Sequence, residues 1–296
     1  MANSTRVYND LTAFEAAVGP ILRDGGQWLQ RSCKSADHDW DLNLGARRAA
    51  TMLSTGWPEG LEQLKNAAIG FDGDDLDGGT SVYYDEQGYM PNSQIAMSGD
   101  PACFMAFESA PQSVPVIRLA LSFSAACSVK AQDFVTRGAA YLTLINALEQ
   151  GGARVEVWLV GSSQSMEDGR DNIDFGIKLK DAGDQLNLNG LAFTTAHPAF
   201  LRRHGFAAIE KQVTEDKGGT FCDGYGKPAV TAEDLEKSCN RVFGKDHGIH
   251  CLPVYARPLR GQSVEQLVSC MAKSLADAGL IAPHQHEQLE QLLLAA

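Results

Sequence analysis

No stretch of this chain stays apolar for the roughly 18 residues that a membrane span needs. The amino terminus, MANSTRVYNDLTAF, lacks the basic then apolar pattern of a secretory signal. A soluble, non-exported protein is the expectation. No CxxC pair occurs among the seven cysteines, at 33, 103, 127, 222, 239, 251 and 270. The thiols therefore read as small buried apolar groups of a reduced intracellular protein rather than a disulfide framework. GxGxxG and GxxxxGK[ST] are missing too, which argues against a dinucleotide cofactor or a nucleoside triphosphate, so no cofactor is expected. Basic charge is scarce: 25 Lys and Arg against 37 Asp and Glu leave a formal charge of −12. The mean field repels phosphate backbones, and nucleic-acid binding would need a local basic patch.

What remains is ordinary globular composition, 44% hydrophobic and 21% charged over 296 residues, enough to bury one large core or two modest ones. No repeat of fixed period and no Pro/Gly/Ser-rich linker divides it. Residues 1–112 read as a helix-rich amino-terminal region. Thr12 and Glu15 have capping-box spacing ahead of AFEAAVGPIL, and ARRAATMLSTG ends a helix at Gly56. Pro58 then opens a second helix with Leu61, Leu64 and Ala68 on one face, making a helical hairpin with Trp57 as a core plug at its corner. FDGDDLDGG resembles a calcium loop only superficially. Counting from Asp72 puts Asp77 at the sixth position and Tyr83 at the twelfth, where glycine and glutamate belong, so a solvated acidic turn before the strand-like TSVYY is expected.

Residues 113–296 change character. VPVIRLALSF is a buried-type strand, AQDFVTRGAAYLTLINALEQGG a long helix with Phe134, Ala139, Leu142, Ile145 and Leu148 on its stripe, and ARVEVWLVGSS a second buried strand. Strand, crossover helix, strand at this length predicts a parallel βαβ unit. A strand around IKLK, nearer an edge, a helix after Pro198, another from Thr231, a strand in GIHCLPVYAR, a helix ending at Gly279 and a last helix follow. The fold class expected is α/β: a three-layer sandwich with a mostly parallel sheet, Rossmann-like, joined by the helical amino-terminal region. Both regions are compatible with one compact body.

Ligands of such sheets sit beyond the carboxyl ends of the strands, which directs attention to LSFSAACS, residues 121–128. The loop offers Ser122 and Ser124 but no acid, base or cation. Strand, serine loop, helix and GGARVEVWLVG together resemble the von Willebrand factor A fold, whose first strand ends in Asp-x-Ser-x-Ser and holds a divalent metal. Aligned to it, Ser122 stands where the aspartate belongs, Ser124 matches the first serine and Ala126 replaces the second. Hydroxyls alone are poor ligands for a hard cation, so the resemblance implies a decayed metal site. GWPEG, GDPACFMAF, RGAAYLTLINALEQGGARVEV and AHPAFLRRHGF also resemble a family of phage-encoded proteins of unassigned function. That resemblance implies a phage origin and a host-cytoplasmic or virion location.

AHPAFLRRHGF supplies a candidate recognition surface: with Phe200 and Phe206 inward, Arg202, Arg203 and His204 would form a basic spot on an exposed helix face. Its plainer reading is a solvated face paired with carboxylates. Histidines and cysteines offer another set, Cys222, Asp223, Cys239, His247, His250 and Cys251. Paired C-x₂₋₄-C spacing is absent, and His250 and Cys251, adjacent on a strand, point to opposite faces. A Cys–His nucleophile pair has no motif to select it. The function expected is a non-enzymatic phage protein that binds another phage or host protein through the face around Ser122, Ser124 and Thr194 or through the Arg202 helix. Self-association as a virion component is open, as is a metal-dependent or nucleic-acid-processing enzyme built on Asp223, His247 and His250.

Overall fold

A computed structural model describes residues 4–24, 41–70, 82–85, 90–99, 101–107, 114–126, 129–164, 172–216, 228–229, 231–253 and 261–295. In chain order these form β1 (Ser4–Tyr8), α1 (Leu11–Asp24), α2 (Ala46–Thr55), α3 (Pro58–Ala67), β2 (Val82–Asp85), β3 (Met90–Pro91), α4 (Ser93–Met97), β4 (Phe104–Phe107), β5 (Val116–Ser122), α5 (Ala131–Gln150), β6 (Arg154–Gln164) and β7 (Asn172–Lys180). There follow α6 (Leu188–Leu191), two π-helical turns, π1 (Ala192–Ala196) and π2 (Phe200–Gly205), then α7 (Phe206–Asp216), α8 (Ala232–Phe243), β8 (His250–Cys251), α9 (Val264–Asp277) and α10 (Pro283–Ala295).

The main sheet has five strands in the order β1-β7-β6-β5-β8. β5 and β6 pair in parallel from Val116↔Arg154 to Ser122↔Val160, joined by α5 as the sequence predicts. β8 and β1 are also parallel to their neighbours, whereas β7 runs antiparallel to β6. The fold is thus mixed α/β with a mostly parallel sheet. β7 is not an edge strand, because β1, which the sequence pattern did not announce, pairs outside it from Ser4↔Ile173 to Tyr8↔Ile177. STRVY is too short and polar to declare itself, and tertiary pairing decides its conformation. β2, β4 and β3 make a separate three-stranded antiparallel sheet. The acidic FDGDDLDGG stretch lies outside the described residues.

Strand alternation sorts side chains onto two unequal faces. Leu119, Leu121, Val155, Val157, Leu159, Ile173, Phe175 and Ile177 join the main core with α1, α2, α3, α5, α7, α9 and the π-turns. Each such side chain contributes about 1.5–3 kcal/mol on burial. Ala120 and Val160 point the other way, into a small cluster with Leu235 and Cys239 of α8. Gly176 lets α8 lie close, since a Cβ there would come within 2.6 Å of the Phe243 ring. α5 is buried on nearly every side rather than along one stripe, with Tyr141, Leu144 and Asn146 covered as well.

The helical hairpin forms as its punctuation predicts. Gly56, at φ 81, closes α2, and Pro58 stands in the first turn of α3. Trp57 is buried at the corner, edge-on to His197 with ring centroids 4.5 Å apart. The cap of α1 differs from expectation: Asp10 Oδ1 accepts the Ala13 N–H at 2.6 Å, while Glu15 turns to Arg23 and His204 instead. An aspartate one residue before the helix reaches the free N–H groups better than Thr12, which lies inside it.

Candidate functional site at the carboxyl ends of β5 and β6

β5 ends at Ser122, and the chain there is held from three directions. Tyr141 Oη donates to Ser122 O at 3.1 Å. Ser162 N donates to Ser124 Oγ at 3.4 Å. Arg137, nearly two helical turns into α5 and almost inaccessible, donates from Nη1 to Ser124 O (3.2 Å), from Nη2 to Phe123 O (3.2 Å) and Thr195 O (3.1 Å), and from Nε to Thr195 O (3.3 Å). A guanidinium is therefore the tie between the rim loop and π1. Burial draws its pKa down, with the neighbouring Tyr141 opposing. Its charge also lies 4.8 Å from the Phe134 ring centroid, and that of Arg202 5.5 Å from the same ring. Arg137 is the residue that sequence reasoning missed. The signal was a lone arginine inside the apolar VTRGAAYLTLI stretch.

The basic trio is not a surface spot. Arg202, Arg203 and His204 are all buried, at 2%, 7% and 0% exposure, which corrects the expectation of an exposed face. Their segment runs between α1 and Asp41, upstream of α2, on one side and Val129, just ahead of α5, on the other. Arg202 donates to Val129 O at 3.1 Å. Arg203 pairs with Asp41 through both Nε (3.0 Å) and Nη2. His204 Nε2 lies 3.5 Å from Glu15 Oε2. Burial lowers the His204 pKa, partly offset by Glu15. His197, between the π-turns, is pushed down to about 4 by burial despite the pull of Asp41, and its Nδ1 accepts the Ala199 N–H at 3.0 Å. Partners so distant in sequence cannot be read from the local pattern. Two π-turns in succession are unusual, and such turns concentrate at functional places.

Thr194 is buried too, its hydroxyl donating back to Gly190 O at 2.7 Å. Ser122 Oγ points to the α8 face and has no hydrogen-bond partner among the described residues. Beside it a polar chain crosses that face. Ser162 and Ser238 hydroxyls are 2.9 Å apart, Arg241 Nη2 donates to Ser238 Oγ at 3.0 Å, and Arg241 grips the fully buried Asp174 at 2.5 and 3.1 Å. Along this rim Ser122 and Ser124 are both held behind the surface, and Thr194 on π1 is buried as well. Ala125 and Ala126 are its partly exposed part.

Of the alternative metal set, Cys222 and Asp223 lie outside the described residues. His247 Nδ1 accepts the Ile249 N–H at 2.9 Å. His250 Nε2 is 2.9 Å from Ser274 Oγ on α9, while Cys251 faces Cys239 on α8, so the two neighbours do point to opposite faces. Among the described residues no group of three His, Cys, Asp or Glu side chains could hold a metal ion. No described helix is long and apolar enough to cross a membrane.

A family model described as a domain of unknown function, DUF7192, matches residues 2–248. The chain belongs to that family. The match runs from β1 to the turn before β8, so it spans the helical amino-terminal region, the rim and α8 together. No curated protein and no solved structure matches the chain.

Proposed function

We propose that this DUF7192 chain is a non-enzymatic protein-binding or assembly protein of phage origin, acting in the host cytoplasm or the virion with another phage or host protein as partner. One observation carries the reading. The cation at the carboxyl end of β5, where an α/β protein keeps its ligand-gripping groups, is committed to three backbone carbonyls of its own chain. Arg203, likewise, is committed to Asp41. Groups spent this way shape a surface instead of reacting. The serine loop between β5 and α5 resembles in sequence that of the von Willebrand factor A scaffold, which serves adhesion and assembly, and Ser122 in place of an aspartate supports the reading of a lost metal. The contact face is then the partly exposed rim at Ala125 and Ala126, its flanking backbone held from behind by Arg137 at the Phe123 and Ser124 carbonyls and by Arg202 at the Val129 carbonyl.

The test places a photo-reactive amino acid at Ala125 of the full chain, expressed in the host during infection, with the same probe at exposed Thr55 as control. A single protein adduct from position 125 alone, lost when Ala126→Arg is added without change in circular dichroism, is the expected result. Equal labelling from both positions, or a stoichiometric metal that survives dialysis and supports turnover, defeats the reading.

A further inference from the structure

Cys239 and Cys251 come from different elements and meet on the lighter face of the sheet. Cys239 lies on α8 inside the cluster of Ala120, Val160 and Leu235, and Cys251 stands opposite Ala120 on β8. The chain between them can turn back so sharply because Gly244, Asp246 and Gly248 all take positive φ, at 87°, 62° and 66°. Their sulfurs are 3.0 Å apart, so an approach of about 1 Å brings them to the covalent separation of roughly 2.05 Å. The two differ in access, Cys239 being buried and Cys251 partly exposed.

We propose that Cys239 and Cys251 are a redox-responsive thiol pair, which small-molecule disulfides convert into a cross-link that locks the β8 edge of the sheet to α8. The accessible Cys251 thiolate attacks a disulfide RSSR, forming a mixed disulfide and releasing RS⁻, which takes up the proton that Cys239 gives up. Cys239 sulfur then attacks Cys251 Sγ and expels the second RS⁻, protonated by water-borne H⁺ released when Cys251 ionised. Two protein thiols lose two electrons and two protons, and one RSSR becomes two RSH. The order of events follows from the site. The Cys239 thiol is held protonated chiefly by its hydrogen bond with Cys251, with burial second. Once Cys251 carries the mixed disulfide, that chief cause is gone and only burial with the charges of Asp174 and Glu236 still raises Cys239, so its thiolate forms more readily beside the Cys251 sulfur.

The cross-link has a mechanical consequence. Among the described residues β8 pairs with β5 through two register pairs, Leu119↔His250 and Ala120↔Cys251, with the Leu252 N–H to Ala120 O bond beside them. A covalent tie to α8, closing a loop of residues 12 apart in sequence, removes the freedom of this short edge to open.

The full chain is equilibrated in glutathione buffers of rising oxidised-to-reduced ratio, quenched, alkylated and mapped by mass spectrometry, with amide exchange followed alongside. In the wild type the expected product is a linked Cys239–Cys251 peptide without a lasting adduct on Cys251, while the exposed Cys270 collects mixed disulfide only. Exchange at Cys251 and Leu252 slows by roughly tenfold on oxidation. In Cys239→Ala the mixed disulfide on Cys251 accumulates. Should that variant not fold, Cys251→Ala decides, because its amide exchange must cease to respond to oxidised glutathione. A persistent glutathione adduct on wild-type Cys251, linkage to other cysteines first, or unchanged exchange in the linked protein overturns the proposal.

Discussion

Arg137 is a whole positive charge withdrawn from water and answered by carbonyl dipoles. Taking a guanidinium out of water costs several kcal/mol, and bonds from a charged donor return about 1.5–3 kcal/mol each. Four such bonds to three carbonyls offset the cost, so the residue is tolerated because of what it ties together. Arg137→Met removes the charge but strands the Phe123, Ser124 and Thr195 carbonyls; a loss of about 3–5 kcal/mol in urea unfolding is expected. Lysine does not rescue it, since a single ammonium cannot reach a loop and a π-turn at once. Gly138 guards the same junction: a Cβ there would sit 2.7 Å from Ala196 Cβ and 3.0 Å from Thr195 Oγ1. Gly138→Ala therefore costs about 1–3 kcal/mol by overpacking. Because both changes loosen the α5 to π1 contact, the double variant loses less than the two single losses added together. Strict additivity would place the two residues in independent sites.

Ser263 shows how an element can be legible in a handful of letters. Its hydroxyl accepts the Gln266 N–H at 3.3 Å while Gln266 Oε1 accepts the Ser263 N–H at 3.0 Å, a reciprocal capping box at the start of α9. Ser263→Ala lowers stability by about 1 kcal/mol, read as a lower melting temperature with the far-ultraviolet spectrum preserved below the transition. Local chemistry of that kind made α2, α3, α5, α8 and α9 readable, and the apolar runs of β5 and β6 fixed the parallel unit that carries the rim. β1 was not readable because its conformation comes from pairing with β7 at the far end of the sheet. The π-turns were not readable either: an extra residue per turn leaves no mark in a short apolar stretch. The trio Arg202, Arg203 and His204 misled for the related reason that charge was taken to mean exposure, when Asp41, Glu15 and Val129 lie waiting from other parts of the chain. Candidate positions on the rim were legible from strand ends alone; their burial was not.

At the scale of the whole molecule, the buried imidazoles His197 and His204 make stability respond to acid. His197 titrates near 4 in the folded chain against about 6.5 unfolded, and His204 is lowered in the same sense by burial. Between those values the unfolded chain binds more protons than the folded one. Stability is therefore fully present above pH of about 6.5 and falls as pH drops toward 4, by roughly 3 kcal/mol from His197 alone. Net charge acts the other way. The chain carries −12 at neutral pH, and acidification relieves that self-repulsion. Salt separates the two, because surface repulsion is screened while a group as buried as His197, at 4% exposure, is barely affected. In high salt the urea-derived stability of the wild type is expected to decline steadily from pH 6.5 to 4. His197→Asn, which keeps a side-chain acceptor for the Ala199 N–H but cannot titrate, starts lower at pH 7 and declines less steeply. Parallel slopes for the two proteins would mean that His197 meets water in the folded state, and the polar centre behind the rim would then have to be redrawn as an open site.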